Sequence, residues 1–236
     1  MATMEKVQIS GDGVETFDAF VAGEEGKPGV VVLQEWWGVD FEVKNHAVNL
    51  AAKGFRTLIP DLYKGKVALE AAEAQHLMDG LDWPTAIKEI GASAKWLLAH
   101  GSKKVGVIGF CMGGALTLLA AINVDSVSAA VSFYGVPEAA LKEDAKAKVP
   151  VQAHFGELDG FKGFSDVDTA RALEKRLEAA GVPHEVHIYP GQGHAFVNAS
   201  PEAIKRKEGM GLPGHDEKAV ELAWSRTVDW LNKYLN

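Results

Sequence analysis

A run of six residues, Gly109-Phe110-Cys111-Met112-Gly113-Gly114, constrains this chain more than any other feature. It follows the apolar run Lys104-Val105-Gly106-Val107-Ile108 and leads into a helix-forming stretch, Gly114 to Ile122. A strand that ends in Gly, one reactive residue, one further residue and Gly, and then turns at once into a helix, has the form of a nucleophile elbow. Such a turn holds the central side chain at a strained backbone position at the top of a parallel sheet. Small residues are needed on both sides, because strand and helix approach too closely there for a Cβ. The central residue is cysteine, the only cysteine in 236 residues.

The remaining pattern is that of a sheet to carry the elbow. Residues 5–9 and 15–22 alternate as two antiparallel strands around the turn Gly11-Asp12-Gly13. Gly29-Val30-Val31-Val32-Leu33 is a continuous apolar run, as a strand buried on both faces requires. A helix over 40–53 and a strand Phe55 to Ile59 follow, then helices over about 67–80 and 84–99, the second opened by Pro84. Beyond the elbow, strands near 127–133, 149–155 and 184–189 alternate with a helix near 166–180, and a helix over 216–234 closes the chain. Strands alternating with helices predict a doubly wound, mainly parallel sheet flanked by helices, with the ligand site at the carboxyl ends of the strands. The expectation is an α/β-hydrolase fold, one domain over 1–236.

Charge and composition narrow the partners. A net charge of −8 argues against nucleic acid, whose phosphates call for a basic surface. A lone cysteine forms no internal disulfide. The first residues lack the apolar core of a signal peptide, and no stretch approaches the length that spans a bilayer. The expectation is a cytoplasmic monomer with no membrane partner, acting on a small molecule. Scattered histidines and the absence of a Lys-Ser/Thr phosphate loop predict neither metal nor other cofactor.

A cysteine nucleophile needs a base to share its proton and an acid to orient that base, in the chain order nucleophile, acid, histidine. Five histidines follow Cys111: His154, His184, His187, His194 and His215. His194 is the candidate, because Pro190-Gly191-Gln192-Gly193-His194-Ala195-Phe196 is a glycine-rich loop just past a strand end. His154, His184 and His187 lie within strands and read as packed side chains. The acid belongs to Gly156-Glu157-Leu158-Asp159-Gly160, with Asp159 the choice and Glu157 the fallback. Asp166 and Asp168 suit the N-terminus of the next helix.

The elbow, Gln34-Glu35-Trp36-Trp37-Gly38, Pro60-Asp61-Leu62-Tyr63 and Gly193-His194-Ala195-Phe196 together resemble the dienelactone hydrolase (carboxymethylenebutenolidase) family over essentially the whole chain. The resemblance implies a Cys-His-Asp triad on Cys111, His194 and Asp159, without a cofactor. It also implies that Glu35 contacts the thiol and helps to deprotonate it. The oxyanion hole would use two backbone amides, Met112 after the nucleophile and, by the resemblance, Trp36. A pocket lined by Trp37, Met78, Trp83, Phe110, Phe133, Tyr134, Phe196 and Asn198 would take a small lactone or neutral aromatic ester.

The chain departs from the family at the two arginines that hold the dienelactone carboxylate. No arginine lies between Arg56 and Arg171, and Asn198 stands near where the second is expected. Lys205, Arg206 and Lys207 are the nearest later cations and read as a solvated surface. The leading expectation is a cofactor-free hydrolase of small lactones and esters that works through an acyl-enzyme. The alternatives are a ligand-binding protein on a hydrolase scaffold and an acyl hydrolase of another kind, such as a thioesterase.

Overall fold

A computed structural model describes residues 4–11, 13–137 and 147–236. Among these residues eight strands form one sheet: β1 (Glu5–Gly11), β2 (Val14–Ala22), β3 (Gly29–Leu33), β4 (Arg56–Pro60), β5 (Val105–Phe110), β6 (Ala129–Phe133), β7 (Val151–Gly156) and β8 (His184–Tyr189). Their order across the sheet is β1-β2-β4-β3-β5-β6-β7-β8. β1, β2 and β4 pair antiparallel, and every neighbour from β4 to β8 runs parallel. Asp12, the middle of the expected first turn, lies outside the described residues; the register pairs Gly11 with Val14 around it.

Among the described residues the helices are α1 (Phe41–Ala52), α2 (Ala71–Asp79), α3 (Trp83–Ala99), α4 (Met112–Asn123), α5 (Val167–Ala179), α6 (Pro201–Gly209) and α7 (Glu217–Leu235). Asp40 caps α1, its carboxylate accepting the Glu42 and Val43 amides, and Pro84 occupies the first turn of α3, where its missing N–H costs nothing. Apolar faces of α3, α4 and α5 cover one side of the sheet, and those of α1 and α7 cover the other. Strands β3 to β7 are buried along their whole length, which explains why β3 and β5 read as unbroken apolar runs rather than alternating ones. This is the α/β-hydrolase fold.

The site is positioned by the reversal of strand order. From β3 the chain runs outward to β4, then crosses back to lay β5 on the other side of β3. Leu33 and Gly109 end side by side at that switch, with Glu35 and Cys111 two residues beyond them. In a doubly wound sheet this is where a crevice opens.

Two helices differ from expectation. α2 begins at Ala71 rather than 67, because Val67 bridges to Gly38 and the Ala68 amide bonds to the Trp37 carbonyl, which ties the preceding residues to the loop after β3. α6 was not anticipated. Ser200 caps it through the Ala203 amide, and Pro201 opens it, a start signal that the sequence carries in plain form.

Candidate active site

Cys111 takes φ 53° and ψ −117°, a left-handed conformation that costs a non-glycine residue about 1–3 kcal/mol. The surrounding backbone holds it there: its amide bonds to the Phe133 carbonyl and its carbonyl accepts from Ala115. A Cβ at Gly109 would overlap the Gly113 carbonyl, and one at Gly113 would lie 2.5 Å from the Gln34 oxygen. The glycines are thus required by contact between β5, α4 and the end of β3.

His194 and Asp159 reach Cys111 from the loops after β8 and β7. Asp159 Oδ2 accepts from His194 Nδ1 at 2.7 Å, and Oδ1 accepts the Phe161 amide at 3.1 Å. Both residues are buried. With Nδ1 committed to Asp159, the other ring nitrogen is left for Cys111. Burial opposes charge on the ring, but the Cys111 charge and the Asp159 and Cys111 hydrogen bonds outweigh it and raise His194 to about 10. Ser165, fully buried, places Oγ 3.2 Å from the same Nδ1. Nothing in its sequence context marked it.

Glu35 lines the same cavity from the loop after β3. Both of its oxygens accept from Asn198 Nδ2 at 3.1 Å, and the Tyr134 hydroxyl donates to one of them at 3.3 Å. Burial, with the charges of Asp40 and Glu42, raises its carboxyl to about 7 against the opposing pull of His194 and Asn198. Asn198 Oδ1 in turn meets His46 Nε2 at 3.1 Å, so the Glu35 support extends into α1. Among the described residues, neither the Trp36 nor the Met112 amide is spent on a protein acceptor. The Met112 side chain is fixed by the Tyr63 hydroxyl, 3.3 Å from Sδ.

The cavity above these groups holds about 220 Å³ and is mostly apolar. Trp36, Trp37, Met78 and Asn198 line it, with Phe161, Phe164 and Leu212 in addition. Five of the side chains expected to line it lie elsewhere. Phe110 and Phe133 are fully buried in the core under α1 and α7, against His46 and His154 respectively, because strand alternation turns them away from the mouth. Phe196 packs on Tyr189, Tyr134 stands behind Glu35, and Trp83 joins the core beneath α3. The surface reading of the α6 cations also needs correction. Lys205 is exposed, but Arg206 and Lys207 line the cavity. The Arg206 guanidinium bonds to Asp40 at 2.8 Å and lies 4.1 Å over the Trp37 ring.

The other candidates take structural positions. Glu157 accepts the Gly191 amide, which braces the histidine loop, and Asp166 precedes α5 with its Oδ1 accepting from the Gly163 amide and the Thr169 hydroxyl. His154 is wholly buried between Tyr189 and Gln152, burial holding its ring well below the usual histidine range. His184 and His187 lie in β8, and His215 is exposed. No helix among the described residues is long and apolar enough to cross a membrane.

The sequence matches the model of the dienelactone hydrolase family over residues 17–235. It is 31% identical to "Protein usf" of Aquifex pyrophilus over 97% of this chain and 98% of that one. A protein of Aquifex aeolicus that carries the name carboxymethylenebutenolidase as a provisional assignment is 30% identical, with the same coverage. Among solved structures, a dienelactone hydrolase-like promiscuous phosphotriesterase from metagenomic libraries superposes with TM-score 0.83 at 25% identity, all of each chain being covered. The chain belongs to the dienelactone hydrolase family and is a dienelactone hydrolase-like hydrolase.

Proposed function

We propose that the enzyme cleaves small lactones and carboxylic esters through a cysteinyl acyl-enzyme, with Cys111, His194 and Asp159 as the triad. The observation that carries this reading is the convergence of the strained Cys111 elbow, the His194–Asp159 pair and the Glu35 carboxyl on one cavity.

Glu35, once ionised, takes the thiol proton. The thiolate sits at the N-terminus of α4, where the positive end of the helix favours negative charge. Sulfur adds to the substrate carbonyl carbon, and the electron pair moves to oxygen. The Trp36 and Met112 amides receive that oxyanion, an arrangement in which each donor is typically worth on the order of 10²–10³ in rate. Collapse breaks the ester C–O bond as imidazolium His194 gives its proton to the leaving oxygen. Neutral His194 then takes a proton from water, whose oxygen adds to the thioester carbon. A second collapse releases the acid, and the sulfur recovers its proton from Glu35. Asp159 holds Nδ1 throughout, so that the exchanging proton is on the nitrogen facing the sulfur.

Turnover of cis- and trans-dienelactone and a neutral aryl ester by the wild type and by Cys111→Ala tests this. Loss of all turnover in the variant is expected, together with an acyl adduct on the intact protein in quenched reactions. Unchanged turnover by Cys111→Ala would overturn the reading.

A further inference from the structure

A second cavity, of about 610 Å³, lies behind α2. Gln75 and Met78 of that helix line the catalytic cavity, whereas His76, Leu77 and Gly80 at its C-terminal end line this one, so α2 is the wall between the two. The inner surface is apolar: Leu62, Tyr63 and Ala86 are buried, and Leu77 and Leu81 half-buried. One charged group is set among them. Glu89 of α3 is 3% exposed, and the described residues form no hydrogen bond to its carboxylate. The polar neighbours are already engaged. Glu15 pairs with Lys64 at 3.2 Å, Asp82 accepts the Thr85 hydroxyl, and the Tyr63 hydroxyl donates to Met112 Sδ. Lys66, Lys88 and His76 also line the cavity but are exposed, where water and salt screen their charges.

We propose that this cavity is a second ligand site, separate from the catalytic one, that takes a small primary ammonium on an apolar body, with Glu89 as its counter-ion. A buried carboxylate without a partner is costly, and one that opens on a cavity is relieved by a cation that enters it. The ammonium would supply the hydrogen-bond donors that Glu89 lacks, while its hydrocarbon part covers Leu62, Leu77 and Leu81. The net charge of −8 favours the approach of a cation over that of an anion. The site is independent of the acyl chemistry at Cys111. The competing account is a carboxyl that stays protonated and binds nothing: burial raises Glu89 to about 7, with Lys64 opposing the rise and Asp61, Glu15 and Asp82 adding to it.

The test titrates the full chain with phenethylammonium chloride and, separately, with 2-phenylethanol, its neutral counterpart, by isothermal calorimetry at pH 8. The wild type should bind the ammonium with a Kd of about 1 mM or below and the alcohol at least about tenfold more weakly. Glu89→Gln keeps the shape and removes the charge, and should weaken ammonium binding at least about tenfold, the scale of a hydrogen bond to a charged group. Glu35→Gln should leave that binding within about twofold, because the Glu35 carboxyl belongs to the catalytic cavity. Equal binding of amine and alcohol, no saturable binding of the amine, or a loss in Glu35→Gln rather than in Glu89→Gln would overturn the proposal. If Glu89→Gln does not fold, amide NMR shifts of the wild type decide. The Leu77, Gly80, Leu81 and Ala86 amides should move with the amine, and movement confined to the Trp36 and His194 loops would refute the site.

Discussion

Asn198 Nδ2 lies 3.1 Å from each carboxylate oxygen of Glu35, so one neutral amide spans the group that we assign as acceptor of the Cys111 proton. Its Oδ1 is engaged with His46 Nε2 and the Tyr134 hydroxyl, which fixes the amide plane. An arginine at this position would hold Glu35 ionised. An asparagine orients it and opposes burial only in part, so burial still raises its proton affinity.

Removal of that orientation gives the first prediction. Asn198→Ala frees Glu35 to adopt other rotamers and leaves His46 and Tyr134 without their shared partner. We expect kcat to fall about tenfold, with a smaller change in KM, because positioning of a proton acceptor matters more in the transition state than in substrate binding. Steady-state kinetics on a neutral ester measures this. A change confined to KM would mean that Asn198 contacts substrate instead.

The pH dependence follows from two titrations. In the proposed mechanism Glu35 must be ionised to accept the thiol proton, and its carboxyl is raised to about 7. The same mechanism has His194 carry a proton for the leaving oxygen, and its ring is raised to about 10. The kcat/KM profile should therefore be a bell with limbs near those values. Glu35→Gln should lower the plateau on the order of 10²-fold and abolish the acidic limb while the basic limb remains. An acidic limb that survives in Glu35→Gln would assign it to another group.

The same titration sets the stability of the fold with the opposite sign from an ordinary carboxylate. Between 4.5 and about 7 the folded protein keeps a proton on Glu35 that the unfolded chain has released. Folding stability therefore falls as pH rises through that window and stays reduced above it. Glu35→Gln removes this term, so the variant should be more stable than wild type at pH 8, by at most about 3 kcal/mol, and indistinguishable from it at pH 4. Denaturant melts at the two pH values check both the sign and the window.

How much of this was legible in the chain depended on what marked each residue. Cys111, Asp159 and His194 each follow the end of an expected strand, in glycine-containing turns, so the pattern alone put them at one edge of the sheet. The lining was harder. β5 and β6 are buried on both faces, and nothing in Val105–Phe110 or Ala129–Phe133 tells which alternate side chains face the mouth, so Phe110 and Phe133 went to the wrong surface. Ala203 and Lys207 do carry the spacing of one helix face, but a lysine in that stripe reads as solvent-facing until the roof over the strand ends is known. Ser165 came to His194 only through the fold of the loop that follows Asp159.

The elbow supplies a prediction about folding rather than chemistry. Gly109→Ala would drive a methyl group into the Gly113 carbonyl and the Thr117 hydroxyl, and neither strand nor helix can retreat without breaking the β3–β5 and β5–β6 ladders. We expect Gly109→Ala to yield no cooperatively folded protein, whereas Gly160→Ala, open on all sides in the acid loop, should leave the melting temperature within a few degrees. Circular dichroism melts of the two variants separate a requirement for close approach from a general sensitivity to alanine.

The last prediction concerns the imidazole that Asp159 and Ser165 share. His194 Nδ1 lies 2.7 Å from Asp159 Oδ2 and 3.2 Å from Ser165 Oγ, so the carboxylate is the stronger partner and the hydroxyl a secondary one. Asp159→Asn replaces an acceptor by an amide that can present a donor to Nδ1, favouring the tautomer with its proton towards Cys111. A loss in kcat of about 10²–10⁴ is expected, with the fold intact. Ser165→Ala removes only the weaker contact and leaves the tautomer to Asp159, so its kcat should fall less than about fivefold. Single-turnover acylation rates for both variants decide the order. If Ser165→Ala is the more damaging, the hydroxyl rather than the carboxylate orients the ring.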